Sequence, residues 1–251
     1  MIWPFRQKIA ASPALQAPET PVGIAPRRFV IPDIHGCDLT LRALVEEVIT
    51  LVKEDILYLL GDYIDRGPRS REVLDYIMKL GNEGYRVLPL RGNHEDMFLN
   101  ACADRGQYRT WILNGGYAAL DSFGVEDACE VPLPYRRFCN ELPCYHLLED
   151  FLLVHAGFNF EAEDPYADTE AMLWDRTRSV NREVLAGRTM ISGHTPQPLS
   201  KIEKMLKQNS GLIILDNGCF LAGRKGMGSL LALELNSMVL FSQKNIDIPG
   251  R

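Results

Sequence analysis

Residues 56–67 read ILYLLGDYIDRG, in which five apolar residues are followed directly by a polar turn that begins and ends with glycine. The apolar run has the length and composition of a buried strand, and the glycines mark the turn that ends it. The turn carries Asp62, Asp65 and Arg66, two potential metal ligands or acids and one cation. The stretch therefore predicts a strand whose carboxyl end carries chemistry.

The same pattern of apolar run and polar turn occurs four more times. The other four are FVIP (29–32) before Asp33-Ile34-His35-Gly36, YRVLPL (85–90) before Arg91-Gly92-Asn93-His94-Glu95, FLLV (151–154) before His155-Ala156-Gly157, and TMI (189–191) before Ser192-Gly193-His194-Thr195. In sheets that are covered by helices, ligands bind beyond the carboxyl ends of the strands. We therefore expect the five strand ends to converge on one crevice.

Six side chains in these turns have the chemistry of metal ligands: Asp33, His35, Asp62, Asn93, His155 and His194. Asp33 and His35 are two residues apart, so on extended backbone both point the same way and can bind one ion. A carboxylate such as Asp62 can bridge two ions. The mixed nitrogen and oxygen set suits manganese, iron or zinc. Two such ions would polarise a phosphoryl group and make a metal-bound hydroxide available as nucleophile.

Four of the five histidines of the chain lie in these turns, which chance placement explains poorly. His94 is free of metal binding if Asn93 is the ligand, and we expect it to protonate the leaving alkoxide. Asp65 is expected to hold His94 in the right tautomer. Arg66 is expected to bind phosphate oxygens bidentately. The fifth histidine, His146, is assigned to structure or surface.

Composition narrows the classes of function. The net charge of −6 argues against broad nucleic-acid binding but leaves room for a small phosphorylated ligand. The sequence has no run of about 18 apolar residues and no convincing signal peptide, so we expect no membrane partner. The six cysteines show no paired or zinc-finger spacing, which indicates free thiols in a reducing cytoplasm. The oligomeric state is left open.

The order of elements predicts one α/β domain over residues 27–251, preceded by a disordered, proline-rich tail over residues 1–26. Strands and helices alternate in the first half, whereas LIILD, SLLALEL and MVLFS in the last quarter predict antiparallel strands. The first predicted helix runs from Leu39 to Lys53 and is capped by Asp38, and the second is capped by Ser70 and stops at Gly81. Four more helices are predicted, from Glu95 to Ala103, Tyr108 to Leu113, Tyr135 to Glu141, and Thr169 to Val180. A layered protein with mixed sheets follows.

In this order, the five motifs resemble those of the phosphoprotein phosphatase branch of the calcineurin-like metallophosphoesterases, over about residues 28–245. The sequence looks closest to the compact bacterial and phage serine/threonine phosphatases. The resemblance implies a layered α-β-β-α sandwich of two mixed β-sheets flanked by helices. It implies one ion held by Asp33, His35 and Asp62, and a second held by Asp62, Asn93, His155 and His194. It also implies phosphate binding by Arg66, Asn93 and a further arginine, with His94 as acid and Asp65 as its partner.

The further arginine is open between two residues. The segment LWDRTR, residues 173–178, resembles the phage type and favours Arg176, with Arg178 as the alternative. Either arginine could instead extend from a helix surface. Arg91 either approaches the same pocket or pairs with a nearby carboxylate.

The resemblance implies a serine/threonine protein phosphatase that uses two divalent ions, manganese first, on a phosphorylated protein or a small phosphorylated substrate. The branch also contains symmetrical dinucleoside tetraphosphatases, whose second motif typically lacks the Asp before the arginine, so Asp65 favours a phosphomonoesterase. A catalytically inactive metal-binding scaffold would have lost a ligand or His94, and neither is lost. A nucleic-acid phosphodiesterase would show a basic groove with interleaved aromatic residues, which this acidic sequence lacks.

Overall fold

The five strands that precede the polar turns all form in the computed structural model, which describes residues 25–208 and 210–248. Within those residues the strands are β1 (Arg28–Ile31), β2 (Ile56–Leu59), β3 (Arg86–Pro89), β4 (Tyr145–Leu147), β5 (Phe151–Val154), β6 (Thr189–Ser192), β7 (Leu212–Ile214), β8 (Ser229–Glu234) and β9 (Val239–Lys244). The predicted tail lies outside the described residues, except for its last two positions, so its disorder stays a prediction.

The strands form two mixed sheets. The five-stranded sheet has the order β3-β2-β1-β8-β9, in which β1, β2 and β3 are parallel and β8 and β9 are antiparallel to their neighbours. The four-stranded sheet has the order β4-β5-β6-β7, in which only β4 is antiparallel to its neighbour. Parallel pairs need a crossover connection, and the alternation of strand and helix in the sequence provides it.

β1 shows how the layers pack. Phe29 and Ile31 belong to a hydrophobic cluster beneath the helices of the five-stranded sheet, whereas Val30 belongs to the cluster between the two sheets. This follows from the strand itself, since successive side chains point to opposite faces. A third cluster, which includes Leu152, covers the outer face of the four-stranded sheet. The predicted sandwich of two mixed sheets flanked by helices is confirmed.

The α-helices of the described residues are α1 (Asp38–Arg42), α2 (Ser70–Asn82), α3 (Asn93–Ala103), α4 (Arg105–Trp111), α5 (Tyr117–Phe123), α6 (Leu133–Glu141), α7 (Thr169–Trp174) and α8 (Leu199–Gln208). π-Helical segments continue α1 over Ala43–Val48 and α4 over Ile112–Gly116, and Ala128–Glu130 forms a 3-10 turn. α3, α4 and α6 occur where helices were predicted, and each begins two or three residues earlier than predicted.

The first predicted helix ends early. Its π-helical continuation stops at Val48, and Thr50 then takes a left-handed backbone with φ 46°, a conformation that commonly terminates helices. Val52, predicted to lie in the apolar stripe, is 46% exposed as a result. Asp38 is not the cap that was predicted, because it lies inside α1 and its carboxylate accepts a hydrogen bond from Arg42 Nε at 2.9 Å.

The predicted ends of α2 are also shifted. Ser70 is the first residue of the helix and not its cap, because its hydroxyl accepts a hydrogen bond from the N–H of Asp65 at 3.0 Å. The helix runs through Gly81 and ends at Asn82. Ser70 therefore stabilises the polar turn after β2 rather than the helix.

α7 ends at Trp174, six residues before the predicted end at Val180. Beyond the helix, the hydroxyl of Thr177 accepts a hydrogen bond from the N–H of Phe158 at 3.0 Å. This bond ties residues 175–178 to the segment that follows β5, so the two arginines in question lie on irregular backbone and not on a helix surface.

The last quarter was predicted as three antiparallel strands, and this is wrong for the first of them. β7 pairs parallel with β6 in the four-stranded sheet, whereas β8 and β9 pair antiparallel as predicted. α8 provides the crossover between β6 and β7. α5, α8 and β4 were not predicted from the sequence.

Three further features bear on the sequence analysis. None of the described helices has the length and apolar character needed to cross a membrane. All six cysteines are free thiols. His146 lies in β4, half-buried and edge-on to Tyr58 with the ring centroids 5.6 Å apart.

Candidate metal centre

The turns that follow β1, β2, β3, β5 and β6 meet at one edge of the two sheets. The N–H groups of Ile34 and His35 donate to the carbonyl oxygen of Asp62 at 3.0 and 2.8 Å, and the N–H of Gly193 donates to the carbonyl of His155 at 2.8 Å. Parallel neighbours end at the same edge of a sheet, so their turns are adjacent and can brace one another by backbone hydrogen bonds.

Five residues of these turns have a left-handed backbone, which is uncommon outside glycine. They are His35, Asp62, Asp65, Arg66 and His194, with φ of 47°, 54°, 71°, 66° and 64°. Backbone strain of this kind persists only where the surrounding structure fixes it, and it clusters at functional sites.

Glu95 supplies much of that support. Its buried carboxylate accepts hydrogen bonds from the N–H groups of Asp62, Tyr63 and Gly92 at 2.9, 2.8 and 2.9 Å. Glu95 occupies the third position of α3, where a capping-box glutamate accepts from the backbone N–H at the helix start. The same side chain therefore starts α3 and shapes the turn after β2.

His35, Asp33 and Asp62 form the first half of the cluster. His35 Nδ1 bonds to the carbonyl oxygen of Ile64 at 3.0 Å, which assigns the proton to Nδ1 and leaves a lone pair on Nε2. That Nε2 lies 3.5 Å from Asp62 Oδ2 and 4.0 Å from Asp33 Oδ2. His94 Nε2 lies 3.9 Å from Asp62 Oδ2, so geometry alone would also admit His94 to this group.

His155, His194 and Asn93 form the second half. His155 Nδ1 bonds to the carbonyl oxygen of Leu60 at 2.8 Å, so its Nε2 carries the lone pair. This Nε2 lies 2.9 Å from Asn93 Oδ1 and 3.4 Å from Asp62 Oδ1, and His194 Nδ1 lies 3.0 Å from the same Asn93 oxygen. Asp62 thus directs one carboxylate oxygen to each half of the cluster.

The protonation of these groups suits a cation. Burial lowers the pKa of the imidazoles of His35 and His155, and that of His194 to about 3, so the rings are neutral at pH 7 and offer lone pairs. Burial also raises the pKa of the Asp33 and Asp62 carboxyl groups, an effect that a bound cation would oppose. The residues therefore fit divalent ions, which when bound polarise a phosphoryl group and supply hydroxide near neutral pH.

His94 and Asp65 form a buried pair beside the cluster. His94 Nδ1 donates to Asp65 Oδ2 at 2.6 Å, and the same oxygen accepts a hydrogen bond from Trp111 Nε1 at 2.9 Å. Burial lowers the pKa of His94, and the nearby His35 and Arg66 lower it further. His94 Nε2 is buried and has no hydrogen-bond partner among the described residues. A substrate oxygen at this point would therefore meet an oriented imidazole.

A pocket of about 630 Å³, here called the catalytic pocket, opens over the cluster, and Arg66, Arg176 and Arg224 line it together with Asn93, His194 and Trp174. Arg66 Nη1 lies 2.8 Å from His35 Nε2, and the guanidinium stacks on Phe220 at 4.5 Å from the ring centroid. Three guanidinium groups in one pocket create a site for an anion.

The remaining arginines separate clearly. Arg176 lines the catalytic pocket, whereas Arg178 lines a neighbouring cavity. Arg91 lies outside the residues that line the catalytic pocket: it donates to the carbonyl oxygen of Asn140 and lies 3.8 Å from the carboxylate of Asp96. Of the two readings of Arg91, the structure shows the one in which it pairs with a carboxylate.

Comparison with known proteins agrees with this geometry. Residues 26–219 match the family described as calcineurin-like phosphoesterase, which is most of the chain. The chain belongs to this family. As a calcineurin-like phosphoesterase it is a metal-dependent phosphoric ester hydrolase, as the sequence predicted.

The phosphoesterase is similar to serine/threonine phosphatases and to a symmetrical tetraphosphatase. It is 30% identical over 178 residues to serine/threonine-protein phosphatase 1 of Salmonella typhimurium, covering 67% of this chain and 78% of that protein. It is 35% identical over 156 residues to a symmetrical bis(5'-nucleosyl)-tetraphosphatase of Acidovorax sp., covering 59% of this chain and 52% of that protein. A serine/threonine phosphatase structure from Saccharomyces cerevisiae shares the fold, with a TM-score of 0.60, 15% identity and coverage of 90% and 82%.

The sequence patterns indicated no role for three buried residues near the cluster: Glu95, Trp111 and Asp216. Glu95 was detectable from its capping-box position, whereas Trp111 lies outside the five motifs and reaches Asp65 only through the packing of α4. Asp216 follows β7, and its buried Oδ2 has no hydrogen-bond partner among the described residues. The strand LIILD carried a signal for Asp216, since it too ends in a potential ligand.

Proposed function

We propose that this phosphoesterase is a serine/threonine protein phosphatase that hydrolyses phosphomonoesters with two manganese ions. In this proposal one ion is held by Asp33, His35 and Asp62, and the other by Asp62, Asn93, His155 and His194. Arg66, Asn93 and Arg176 bind the phosphate. The six free thiols fit a reducing compartment, and on that ground we propose a cytoplasmic location.

The hydrogen bond between His94 and Asp65 is the observation that favours a phosphomonoester as the substrate. A serine or threonine alkoxide is a poor leaving group, so its departure gains from a general acid. The 2.6 Å hydrogen bond and the vacant Nε2 of His94 provide an imidazole that is oriented for that proton transfer. A nucleoside diphosphate leaves easily and needs this assistance less. The Salmonella typhimurium relative named serine/threonine-protein phosphatase 1 supports the same choice.

Hydrolysis of symmetrical dinucleoside tetraphosphates is the second candidate, supported by the tetraphosphatase relatives. The test is the ratio of kcat/KM for a phosphothreonine peptide to that for diadenosine tetraphosphate, measured with manganese. We expect the peptide to have the higher value. If the tetraphosphate is preferred by tenfold or more, about 1.4 kcal/mol in the barrier, the protein-phosphatase proposal fails, while assignment to the hydrolase class is unaffected.

A further inference from the structure

A second cavity of about 450 Å³ adjoins the catalytic pocket, and we call it the flank cavity. Cationic, hydroxyl-bearing and aliphatic side chains line it. Arg176 lines both spaces, and Thr195 directly follows His194 of the metal cluster. A substrate whose phosphate lies in the catalytic pocket can therefore continue across Arg176 into the flank cavity.

The flank cavity is positively charged. Arg176, Arg178 and Lys201 line it, and no aspartate or glutamate is among its lining residues. Within the described residues, the side chains of these three cations make no hydrogen bond or ion pair. Unpaired cations grouped around one concavity raise the local concentration of anions. The flank cavity thus suits a ligand that carries negative charge.

The other residues that line the flank cavity favour a peptide over a nucleotide as its ligand. The floor is aliphatic, made by Met205, Leu212 and Ile214, and no aromatic ring lines the cavity. Nucleobases are commonly held by stacking on aromatic side chains, which this cavity does not offer. Thr177 and Thr195 have hydroxyls that can bond to a peptide backbone. An extended peptide advances about 3.3–3.6 Å per residue, so residues a few positions from the phosphorylated one can reach the cavity.

We propose that the flank cavity binds acidic residues that neighbour the phosphorylated serine or threonine, with Arg178 and Lys201 as the selecting cations. This inference rests on the proposed protein-phosphatase function and adds a sequence preference to it. Arg176 is excluded from the selecting pair because it also faces the catalytic pocket, so its loss would affect the reaction itself.

The test uses two phosphothreonine peptides that differ only in having aspartates or asparagines on both sides of the phosphothreonine. We expect the wild-type enzyme to favour the aspartate peptide about five- to tenfold in kcat/KM, mainly through KM, the size expected for two partly exposed charge pairs. The double variant Arg178→Gln, Lys201→Gln should bring the ratio close to one. Arg178→Lys, Lys201→Arg should retain most of the preference.

Two controls separate binding from other effects. Lys204→Gln removes a similar charge from the exposed face of α8, outside the cavity lining, and should leave the ratio unchanged. Turnover of 4-nitrophenyl phosphate, which is too small to reach the flank cavity, measures the reaction alone. A large fall of that turnover in the double glutamine variant would assign Arg178 or Lys201 to the reaction and overturn the proposal.

The remaining outcomes are distinct. The proposal for the flank cavity is overturned if the wild-type enzyme has equal kcat/KM for the two peptides, or if the ratio is unchanged in the double variant. Neither result affects the proposed protein-phosphatase function. If the double glutamine variant loses activity only towards diadenosine tetraphosphate, the flank cavity binds a nucleotide. That result would equally overturn the proposal. If the proposed function itself is wrong, the enzyme will hydrolyse 4-nitrophenyl phosphate but neither peptide.

Discussion

Asp65 holds the imidazole of His94 through a 2.6 Å hydrogen bond to Nδ1, and Trp111 Nε1 donates to the same carboxylate oxygen at 2.9 Å. All three side chains are buried. A carboxylate in this position fixes the tautomer of the ring and stabilises its protonated form. In the proposed mechanism, the unpartnered Nε2 of His94, which lies 3.9 Å from Asp62 Oδ2, is the atom that donates a proton to the substrate.

His94→Asn should slow the hydrolysis of substrates with poor leaving groups more than that of substrates with good ones. General acid catalysis contributes roughly 10²- to 10⁴-fold, and nitrophenolate needs less of it than an alkoxide. The measurement compares kcat for an alkyl phosphate with kcat for 4-nitrophenyl phosphate in the variant and the wild type. An equal loss on both substrates would remove His94 from the acid role.

Asp62→Asn should weaken the binding of both ions, because each carboxylate oxygen of Asp62 faces one half of the cluster. Asparagine tolerates the left-handed backbone of this position, φ 54°, so the turn itself should survive. Elemental analysis after dialysis should find less metal than in His94→Asn, which keeps all the proposed ligands. Two full equivalents of metal in Asp62→Asn would show that Asp62 does not bridge.

Gly193→Ala should impair metal binding although it removes no ligand. A Cβ at Gly193 would overlap the carboxylate of Asp33, whereas a Cβ at Gly81 in α2 would have no atom within 4 Å. We expect at least a tenfold loss of activity in Gly193→Ala, partly restored by excess manganese. Gly81→Ala, the matched control, should keep full activity and gain roughly 0.5–1 kcal/mol of stability. Full activity in Gly193→Ala would contradict the position assigned to Asp33.

His146 should make stability depend on pH. Burial lowers its pKa, and its Nε2 has no hydrogen-bond partner among the described residues, so the folded state favours the neutral ring. Below the unfolded value of about 6.5 the unfolded chain takes up the proton first. The stabilising contribution is therefore present above that pH and is lost as the pH falls.

His146→Phe removes this titration and keeps an aromatic ring next to Tyr58. Between pH 7.5 and 5.5 the wild type should lose more free energy of unfolding than the variant, measured with urea. The ring is only half-buried and solvent screens its charge, so the difference should stay below about 1 kcal/mol. An identical loss in the two proteins would contradict the neutral state of His146.

The sequence predicts the fold and the cluster well because both depend on local patterns. Each strand ends at its turn, and candidate ligands such as Asp62 and His155 lie in those turns, so finding the turns also finds the side chains. Features set by distant contacts were not predictable. Trp111 reaches Asp65 across 46 residues of chain, and the early end of α7 depends on a bond between Thr177 and Phe158.

The choice between the two arginines likewise depended on structure that the sequence does not show. Arg176 and Arg178 are two residues apart, and their types alone could not decide which enters the catalytic pocket. The irregular backbone after Trp174 decides it, since it directs only Arg176 into that pocket. Likewise, β7 was predicted to be antiparallel, because the amphipathic helix α8 that precedes it and allows a parallel crossover was not predicted.

In the proposed mechanism, hydrolysis depends on two divalent ions held by this cluster. The most direct measurement is the turnover of 4-nitrophenyl phosphate by protein that has been treated with chelator and shown by elemental analysis to be free of metal. We expect activity to be lost and then restored by added divalent ions, best by manganese, to a maximum at two equivalents per chain. Full activity in the metal-free protein would contradict the account.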